Sequence, residues 1–402
     1  MKQAVIYGAG NIGRGFIGQL FHMSGYEISF IDVNMATIER LNALGQYPIY
    51  ITDGDDYKEY LVTGARGVDG RDTNAIAEAI ASADLMATAL GVNVLVHVAA
   101  PMAEGVRRRM EKGIDTPLNI IVCENMIEVD KYLAGLIKSK LDEEEQAYFD
   151  RYIGLVEPSI GRMVPATPRA LADKEPLAVC VEPYCELPVD REAFKGEIPK
   201  INNMKPFAPF DFHIRRKLFM HNMSHALTAY LGAYKGYTYI WEAAEDEEIV
   251  AVVRRALSEV SDALTAEYGV PLEELLGFGE ELLIRYKNKL LGDTVERVGR
   301  DTRRKLSASD RFVGAVRLCE QHGVKPTDIL IGLAAGLHFA PEGDLASEMI
   351  AKSAIEKGAL RTLSEYCDMD EDSLLAKMTA CAYDAFEKGE RISALPELLL
   401  HL

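Results

Sequence analysis

The chain opens on the feature that most limits how it can fold. A β-branched run, Gln3–Tyr7, leads directly into Gly8-Ala9-Gly10-Asn11-Ile12-Gly13, and an amphipathic segment, Arg14–Ser24, follows. The six residues fit G-x-G-x-x-G in the strand-turn-helix setting that gives this spacing its meaning. The three glycines serve a tight turn, close approach of a pyrophosphate and close helix-strand packing. The pyrophosphate would sit on the helix N-terminus, where free N–H groups and the helix dipole favour an anion. A second strand pattern, Glu27–Ile31, ends at Asp32, about 20 residues beyond the motif. A carboxylate there accepts hydrogen bonds from ribose hydroxyls and repels a 2′-phosphate, which favours NAD over NADP. The expected cofactor contacts are Gly8, Gly10, Asn11, Ile12, Gly13 and Asp32. A P-loop is excluded, because the chain contains no Gly-Lys pair.

The first half repeats this alternation. Further strand patterns are Leu85–Thr88, Leu118–Cys123, Tyr152–Val156 and Ala178–Glu182. Amphipathic segments stand between several of them, at Ala36–Leu44, Ala75–Ser82, Val92–Met110 and Ile127–Leu141. Strands alternating with helices imply a parallel sheet covered on both faces. Prolines then crowd at 183, 188, 199, 206 and 209, and the alternation stops. Beyond Phe212 the pattern is helical: Arg215–Tyr234, Glu247–Tyr268, Leu272–Leu290, Ser309–His322, Asp328–His338 and Leu374–Lys388. The fold class is therefore α/β, with an N-terminal Rossmann-type doubly wound parallel sheet followed by a mostly α-helical C-terminal domain. Residues 1–200 are the expected NAD-binding domain. Residues 201–402 are the expected helical substrate-binding and catalytic domain.

Composition bounds the partners. The chain carries 44 Lys and Arg against 62 Asp and Glu, a net charge of -18. A surface so acidic does not suit nucleic acid, whose phosphate backbone selects basic proteins. The N-terminal apolar run is too short for a signal peptide, and no run reaches the roughly 18–20 apolar residues of a membrane span. The six cysteines, at 123, 180, 185, 319, 367 and 381, show no C-x-x-C pair and no zinc-like set with histidine. They read as buried thiols of a cytoplasmic protein, with no metal and a monomer or homodimer as the expected assembly.

Hydride chemistry needs an acid/base besides the dinucleotide. None of the 18 tyrosines begins a Tyr-x-x-x-Lys, so the tyrosine-lysine solution is absent. The candidate is the helical stretch carrying Lys217, Asn222 and His225. At roughly 100° per residue, an α-helix sets Asn222 about 140° and His225 about 80° from Lys217, so all three share one broad face. A lysine acts as base when burial or nearby cations pull its pKa from ~10.4 toward 7–8; Arg215, Arg216 and His221 are its neighbours in sequence. Asn222 would donate to a developing alkoxide, and His225 would orient the substrate. His221 and His225 also have the i,i+4 spacing of a metal pair, but no third ligand stands out. A second site is Asn125, directly after the strand Leu118–Cys123, where a doubly wound sheet binds its ligands. A third is the segment 297–311, with six basic and two acidic residues, a local charge of +4. Arginine forks suit phosphate or carboxylate oxygens.

Four stretches in order, GAGNIGRGFIGQLF from Gly8, PLNIIVCENM from Pro117, RRKLFMHNMSHALTAYLG from Arg215 and VERVGRDTRRKLSASDR from Val295, resemble the polyol-specific long-chain dehydrogenase/reductase family. The resemblance runs over nearly the whole chain. It implies a Rossmann domain and a helical domain with the site in the cleft between them. It also implies a metal-independent, NAD-linked oxidoreductase. The opening is closest to the phosphate-using branch, which interconverts D-mannitol 1-phosphate and D-fructose 6-phosphate. By motif position Lys217 is the general acid/base, Asn125 and Asn222 bind the oxyanion, and His225 contacts substrate oxygens. Arg297, Arg300, Arg304 and Lys305 lie in the basic segment that reaches the substrate. Three positions depart from the family pattern: Gly161 stands where an Asp is usual, Lys289 where an Asn-Pro pair is usual, and Asp301-Thr302 where x-Pro is usual. Such departures leave open an unphosphorylated polyol or a hexuronate as substrate. A non-catalytic NAD(H)-binding sensor is the reading from another class.

Overall fold

The computed structural model describes residues 2–401. The chain forms two compact units that divide after Ile214. The first carries the strands β1 (Lys2–Tyr7), β2 (Tyr26–Asp32), β3 (Gln46–Asp53), β4 (Asp56–Thr63), β5 (Ala65–Asp69), β6 (Leu85–Thr88), β7 (Leu118–Val122), β8 (Ile153–Val156), β9 (Val179–Val181), β10 (Leu187–Asp190) and β11 (Met204–Phe207). Six of them form one sheet in the order β5-β2-β1-β6-β7-β8, and every neighbouring pair is parallel. β1 lies at the centre, with Ala4 opposite Ile28 on one side and Leu85 on the other. Two apolar layers cover the sheet. Phe16, Leu20 and Phe30 belong to one, and Ile76, Met102 and Leu133 to the other. Coverage on both faces explains why these strands read as continuous apolar runs. The strand order reverses between β1 and β6, so the crevice for ligands opens past Tyr7 and Thr88.

Two sequence expectations need correction here. Ala178–Glu182 is not a strand of the main sheet. It shortens to β9 and pairs with β3 in a separate sheet, β4-β3-β9. The β3-β4 hairpin itself was missed, although Asp53 faces Asp56 across a two-residue turn and Gly54 has φ +59°. A Gly-Asp turn between β-rich runs is a hairpin signal. Helix starts follow side-chain caps: Asn34 accepts from Thr37 N, Asp72 from Ala75 N, and Asp142 with Glu145 closes a capping box.

The first unit also extends past the expected boundary at 200/201. β11 pairs with β10, Phe207 stacks on His213 at 3.9 Å, and Ser159 Oγ donates to the His213 carbonyl. Residues up to 214 thus stay with the first core. The second unit is helical. Its longest helix, Glu247–Tyr268, starts on an Asp246 cap and ends at Gly269 in the left-handed region. Thr327–His338 runs through the core and is buried on all sides up to Leu337. Burying its Ile329, Leu330, Ile331, Leu333 and Leu337 contributes on the order of 1.5–3 kcal/mol each. Gly332 lets this helix approach Met223–Tyr234, since a Cβ there would come 2.5 Å from Leu227 Cδ1. Among the described residues, no helix is long and apolar enough to cross a membrane.

Candidate active site

In the first unit the turn after β1 is built as its spacing implies. Gly8 has φ +113°, and its N–H donates to the Ile31 carbonyl at 2.8 Å. A Cβ at Gly13 would come 2.0 Å from the Gly8 carbonyl oxygen. A Cβ at Gly10 would meet nothing within 4 Å, so that face is open to a ligand's close approach. Asp32 accepts from Ala9 N at 2.7 Å and from Asn34 N at 2.9 Å, tying the turn to the end of β2. A carboxylate has further lone pairs to offer ribose hydroxyls. Asn11 donates through its side chain to the Pro165 carbonyl at 2.8 Å, and Ile12 packs against the core. These two therefore shape the turn with their side chains and leave the helix N-terminus to its backbone N–H groups. The residues fit the pyrophosphate and ribose of a dinucleotide.

Asn125 lies exposed in the bend beyond β7. Its neighbour Glu124 was missed. It is buried, accepts from Thr88 Oγ1 at 2.6 Å and from Leu90 N at 2.9 Å, and so joins the ends of β6 and β7 at the crevice. Burial pushes its carboxyl above the usual range, against the pull of the donors from Leu90 and Thr88. Its position beside Asn125 was the available signal. Gly161 leaves room for Tyr184, whose Cε1 lies 3.2 Å from where a Cβ would stand.

In the second unit the segment predicted as plain α-helix is interrupted. Asp211–Arg216 is α-helical, Lys217–Asn222 forms a π turn, and α-helix resumes over Met223–Tyr234. The Met223 N–H bonds to the Leu218 carbonyl, five residues back. In this geometry residues i and i+5 become the stacked neighbours that i and i+4 are in an α-helix. Asn222 therefore swings toward the Lys217 face, instead of standing about 140° from it. Lys217 is half-buried, and its pKa is drawn down to about 7 by burial, then by Arg311 and Arg304, with Asp310 opposing. The expected cationic neighbours act elsewhere: Arg215 pairs with Glu267 at 3.4 Å, and Arg216 lies over the Phe278 ring at 4.5 Å.

Asn222 Nδ2, His221 Nδ1 and His225 Nε2 are buried with no hydrogen-bond partner among the described residues. Buried polar atoms without partners are rare and cost about 1–3 kcal/mol each, and the Asn222 amide among them is a donor free for a ligand. His225 stacks on Tyr286 with centroids 4.8 Å apart and planes 8° apart, and its Nε2 stands 3.4 Å from Asp293 Oδ2. Burial lowers the pKa of both histidines, strongly for His221, while Asp293 holds His225 partly up.

The basic segment does not act as one block. Arg297 forms a two-point ion pair with Asp293, both contacts at 2.6 Å. Arg304 pairs with Asp301 at 2.8 Å and with Asp310 at 3.2 Å. Lys305 is buried and donates to the Val298 carbonyl. Burial, then Arg311 and Arg304, draw its pKa to about 6, so near neutral pH it carries little charge. Arg300 is exposed and, among the described residues, its side chain has no ion pair. Of the four residues expected to reach the substrate, three thus have partners within the unit, and Arg303 beside Arg300 is likewise exposed and, among the described residues, without an ion pair. The acids that pair with Arg304 lie inside the segment and are already counted in its +4, and Asp293, four residues before Arg297, lies just outside it. Of the departures, Lys289 pairs with Glu245 at 3.0 Å and lies over Trp241 at 4.4 Å, and Asp301 adopts φ +64°.

Residues 2–203 match the mannitol dehydrogenase Rossmann domain, and residues 210–385 match the mannitol dehydrogenase C-terminal domain. A two-unit oxidoreductase with a dinucleotide turn is the class this defines, and the chain belongs to the mannitol dehydrogenase family. Among solved structures, it is similar to Pseudomonas fluorescens mannitol 2-dehydrogenase in ternary complex with NAD and D-mannitol, at TM-score 0.79 and 15% identity over 100% of this chain and 94% of that one. It is also similar to a D-sorbitol dehydrogenase in substrate-free form, at TM-score 0.76 and 16% identity over 98% of this chain and 94% of that one. At such identities the likeness is one of fold.

Proposed function

We propose that the protein is an NAD-dependent dehydrogenase that interconverts a hexitol phosphate and a ketohexose phosphate, D-mannitol 1-phosphate and D-fructose 6-phosphate, as in mannitol-1-phosphate 5-dehydrogenase. The observation that carries the chemistry is Lys217, held near neutrality beside a buried, unpartnered amide donor on Asn222. Bound at the turn Gly8–Gly13, NAD supplies a hydride acceptor at its nicotinamide. Neutral Lys217 takes the carbinol proton; charged Lys217 returns it to the ketose oxygen in the reverse direction. Asn222 Nδ2 stabilises the developing alkoxide, with Asn125 assigned the second donor by the family motif. His225 meets a neighbouring substrate hydroxyl. Arg300 and Arg303, exposed and without ion pairs among the described residues, are the cations available to a phosphate. Six free thiols fit a cytoplasmic site of action.

A second reading, a free polyol or a hexuronate as substrate, is favoured by one observation: Arg297, Arg304 and Lys305 already have partners within the unit. NADH consumption with fructose 6-phosphate, fructose, tagaturonate and fructuronate, measured side by side, separates the two. Preference for fructose 6-phosphate supports the first reading. Faster turnover of an unphosphorylated ketose overturns it in favour of the second. NADH binding without turnover on any of the four leaves a sensor. Charge reversal, Arg300→Glu, should raise KM for fructose 6-phosphate far more than for fructose, and an equal loss on both removes the phosphate role.

A further inference from the structure

His225 is gripped from two sides. Tyr286 covers its face, and the Tyr286 hydroxyl is itself held by the His221 carbonyl at 3.0 Å and Ser224 Oγ at 2.8 Å. Asp293 stands at its edge, 3.4 Å from Nε2. Asp293 is 5% exposed and cannot shift easily, because Arg297 grips both its oxygens at 2.6 Å. Its backbone is fixed as well. The Asp293 carbonyl accepts from Ile240 N at 2.9 Å, Val295 N donates to the Thr238 carbonyl at 3.0 Å, and Thr294 caps the helix Val295–Gly299 that carries Arg297.

From this geometry we infer that Asp293, locked by Arg297, is a positioning residue that sets the tautomer of His225. A carboxylate offers only lone pairs, so the nitrogen facing it must bear the proton. At 3.4 Å the contact is long for a hydrogen bond, and the charge of Asp293 rather than a short bond makes this choice. The proton sits on the buried Nε2, and Nδ1 is left as a lone-pair acceptor. His225 then accepts a hydrogen bond from a substrate hydroxyl and does not donate to the oxyanion, a task that falls to Asn222. The same chain of contacts accounts for Arg297, which holds Asp293 and is thereby removed from phosphate binding. Asp293 keeps its charge for this purpose. Burial alone would raise its pKa, but His225 and Arg297 hold it at about 2. The groups that bear on His225 are Asp293, which favours its cation, and Arg297 and Lys305, which oppose it.

The role in turnover rests on the function proposed above; the tautomer does not. The test therefore pairs kinetics with a readout that needs no substrate. Nitrogen-15 NMR of histidine-labelled protein, with His225→Asn to assign the signal, should show neutral His225 protonated on Nε2. In Asp293→Asn the amide keeps its oxygen for Arg297 Nε, gives up the contact with Arg297 Nη2, which shares Oδ2 with the ring, and turns its N–H₂ toward the ring. The proton should move to Nδ1, with kcat/KM falling roughly 10- to 10²-fold and NADH affinity near wild type, while Tm falls because Arg297 loses one of its two contacts. Asp293→Glu should restore the Nε2 form and part of the rate. If Asp293→Asn fails to fold, the wild-type tautomer and Arg297→Gln carry the test; Arg297→Gln should leave the proton on Nε2 but broaden the His225 signal. A wild-type His225 protonated on Nδ1 overturns the inference, as does Asp293→Asn with an unchanged tautomer. A wild-type protein that reduces no ketose yet shows the Nε2 proton defeats the proposed function alone.

Discussion

Each unit carries one π turn near its chemistry, and the two are used differently. Gly13–Gly18 follows the nucleotide turn; Lys217–Asn222 carries the catalytic candidates. A π turn leaves carbonyls displaced from the α pattern, and both are taken up by side chains from elsewhere in their unit. In the first, the Tyr47 hydroxyl donates to the Arg14 carbonyl at 2.9 Å and Arg162 Nη1 to the Gly15 carbonyl at 3.0 Å. In the second, the Tyr286 hydroxyl donates to the His221 carbonyl at 3.0 Å and Arg311 Nη1 to the Asn222 carbonyl at 3.4 Å. The first π turn is buried throughout and serves packing, while Gly10 ahead of it stays open on its Cβ side. The second turns two side chains to a common face. One backbone device supports binding by main chain in one unit and aims side chains in the other.

The largest effect that would break this contrast concerns the second unit. Lys217→Ala should lower kcat by roughly 10² or more, the scale of lost acid/base catalysis, while NADH affinity, read by fluorescence titration, stays unchanged. A near-wild-type rate would remove the catalytic role of this π turn. In the first unit two glycines divide binding from folding. Gly10→Ala meets no protein atom within 4 Å, so Tm should hold while the NADH Kd rises about tenfold or more, near 1.4 kcal/mol. Gly13→Ala drives a Cβ to 2.0 Å from the Gly8 carbonyl oxygen and should lower Tm as well. Equal Tm losses in both variants would contradict the assignment of Gly10 to the ligand.

A smaller effect is the pH profile. With Lys217 titrating at about 7, polyol oxidation should rise with pH and level off above it, because the neutral amine is the base. Ketose reduction should fall through the same range, because the charged form is the acid. Arg311→Gln removes a cation that depresses this pKa, so both limbs should move to higher pH; an unmoved profile would mean that Arg311 does not tune Lys217. The smallest effect is on stability. A lysine whose folded pKa lies below its unfolded value of ~10.4 destabilises the fold fully below about pH 7, and that cost fades as pH rises toward the unfolded value. Lys217→Met should thus raise Tm at pH 6, with the gain vanishing toward pH 10. A gain that grows with pH would reverse the sign and contradict the depressed pKa.

What the sequence alone determined rests on local rules. The turn Gly8–Gly13, Asp32 at the end of β2 and the helical second half follow from steric needs of the backbone and from hydrophobic periods, which neighbours in the chain express directly. The helix Glu247–Tyr268 lies as its pattern predicts, because its cap, its apolar face and its terminal glycine are all local. The candidate residues Lys217, Asn222 and His225 can be named from the chain, but their arrangement cannot. A helical wheel leaves Lys217 and Asn222 about 140° apart on one broad face, and the π turn, whose carbonyls accept from Tyr286 and Arg311, brings them closer. The basic segment shows the same limit. Its charges add up along the chain, and the Asp293–Arg297 pair at i,i+4 is local as well, but the burial of Lys305, with its lowered pKa, comes only from folding. Glycine turns and amphipathic faces are properties of a stretch of chain. A lysine's pKa, a histidine's tautomer and a free cation depend on distances and burial that exist only once distant residues meet.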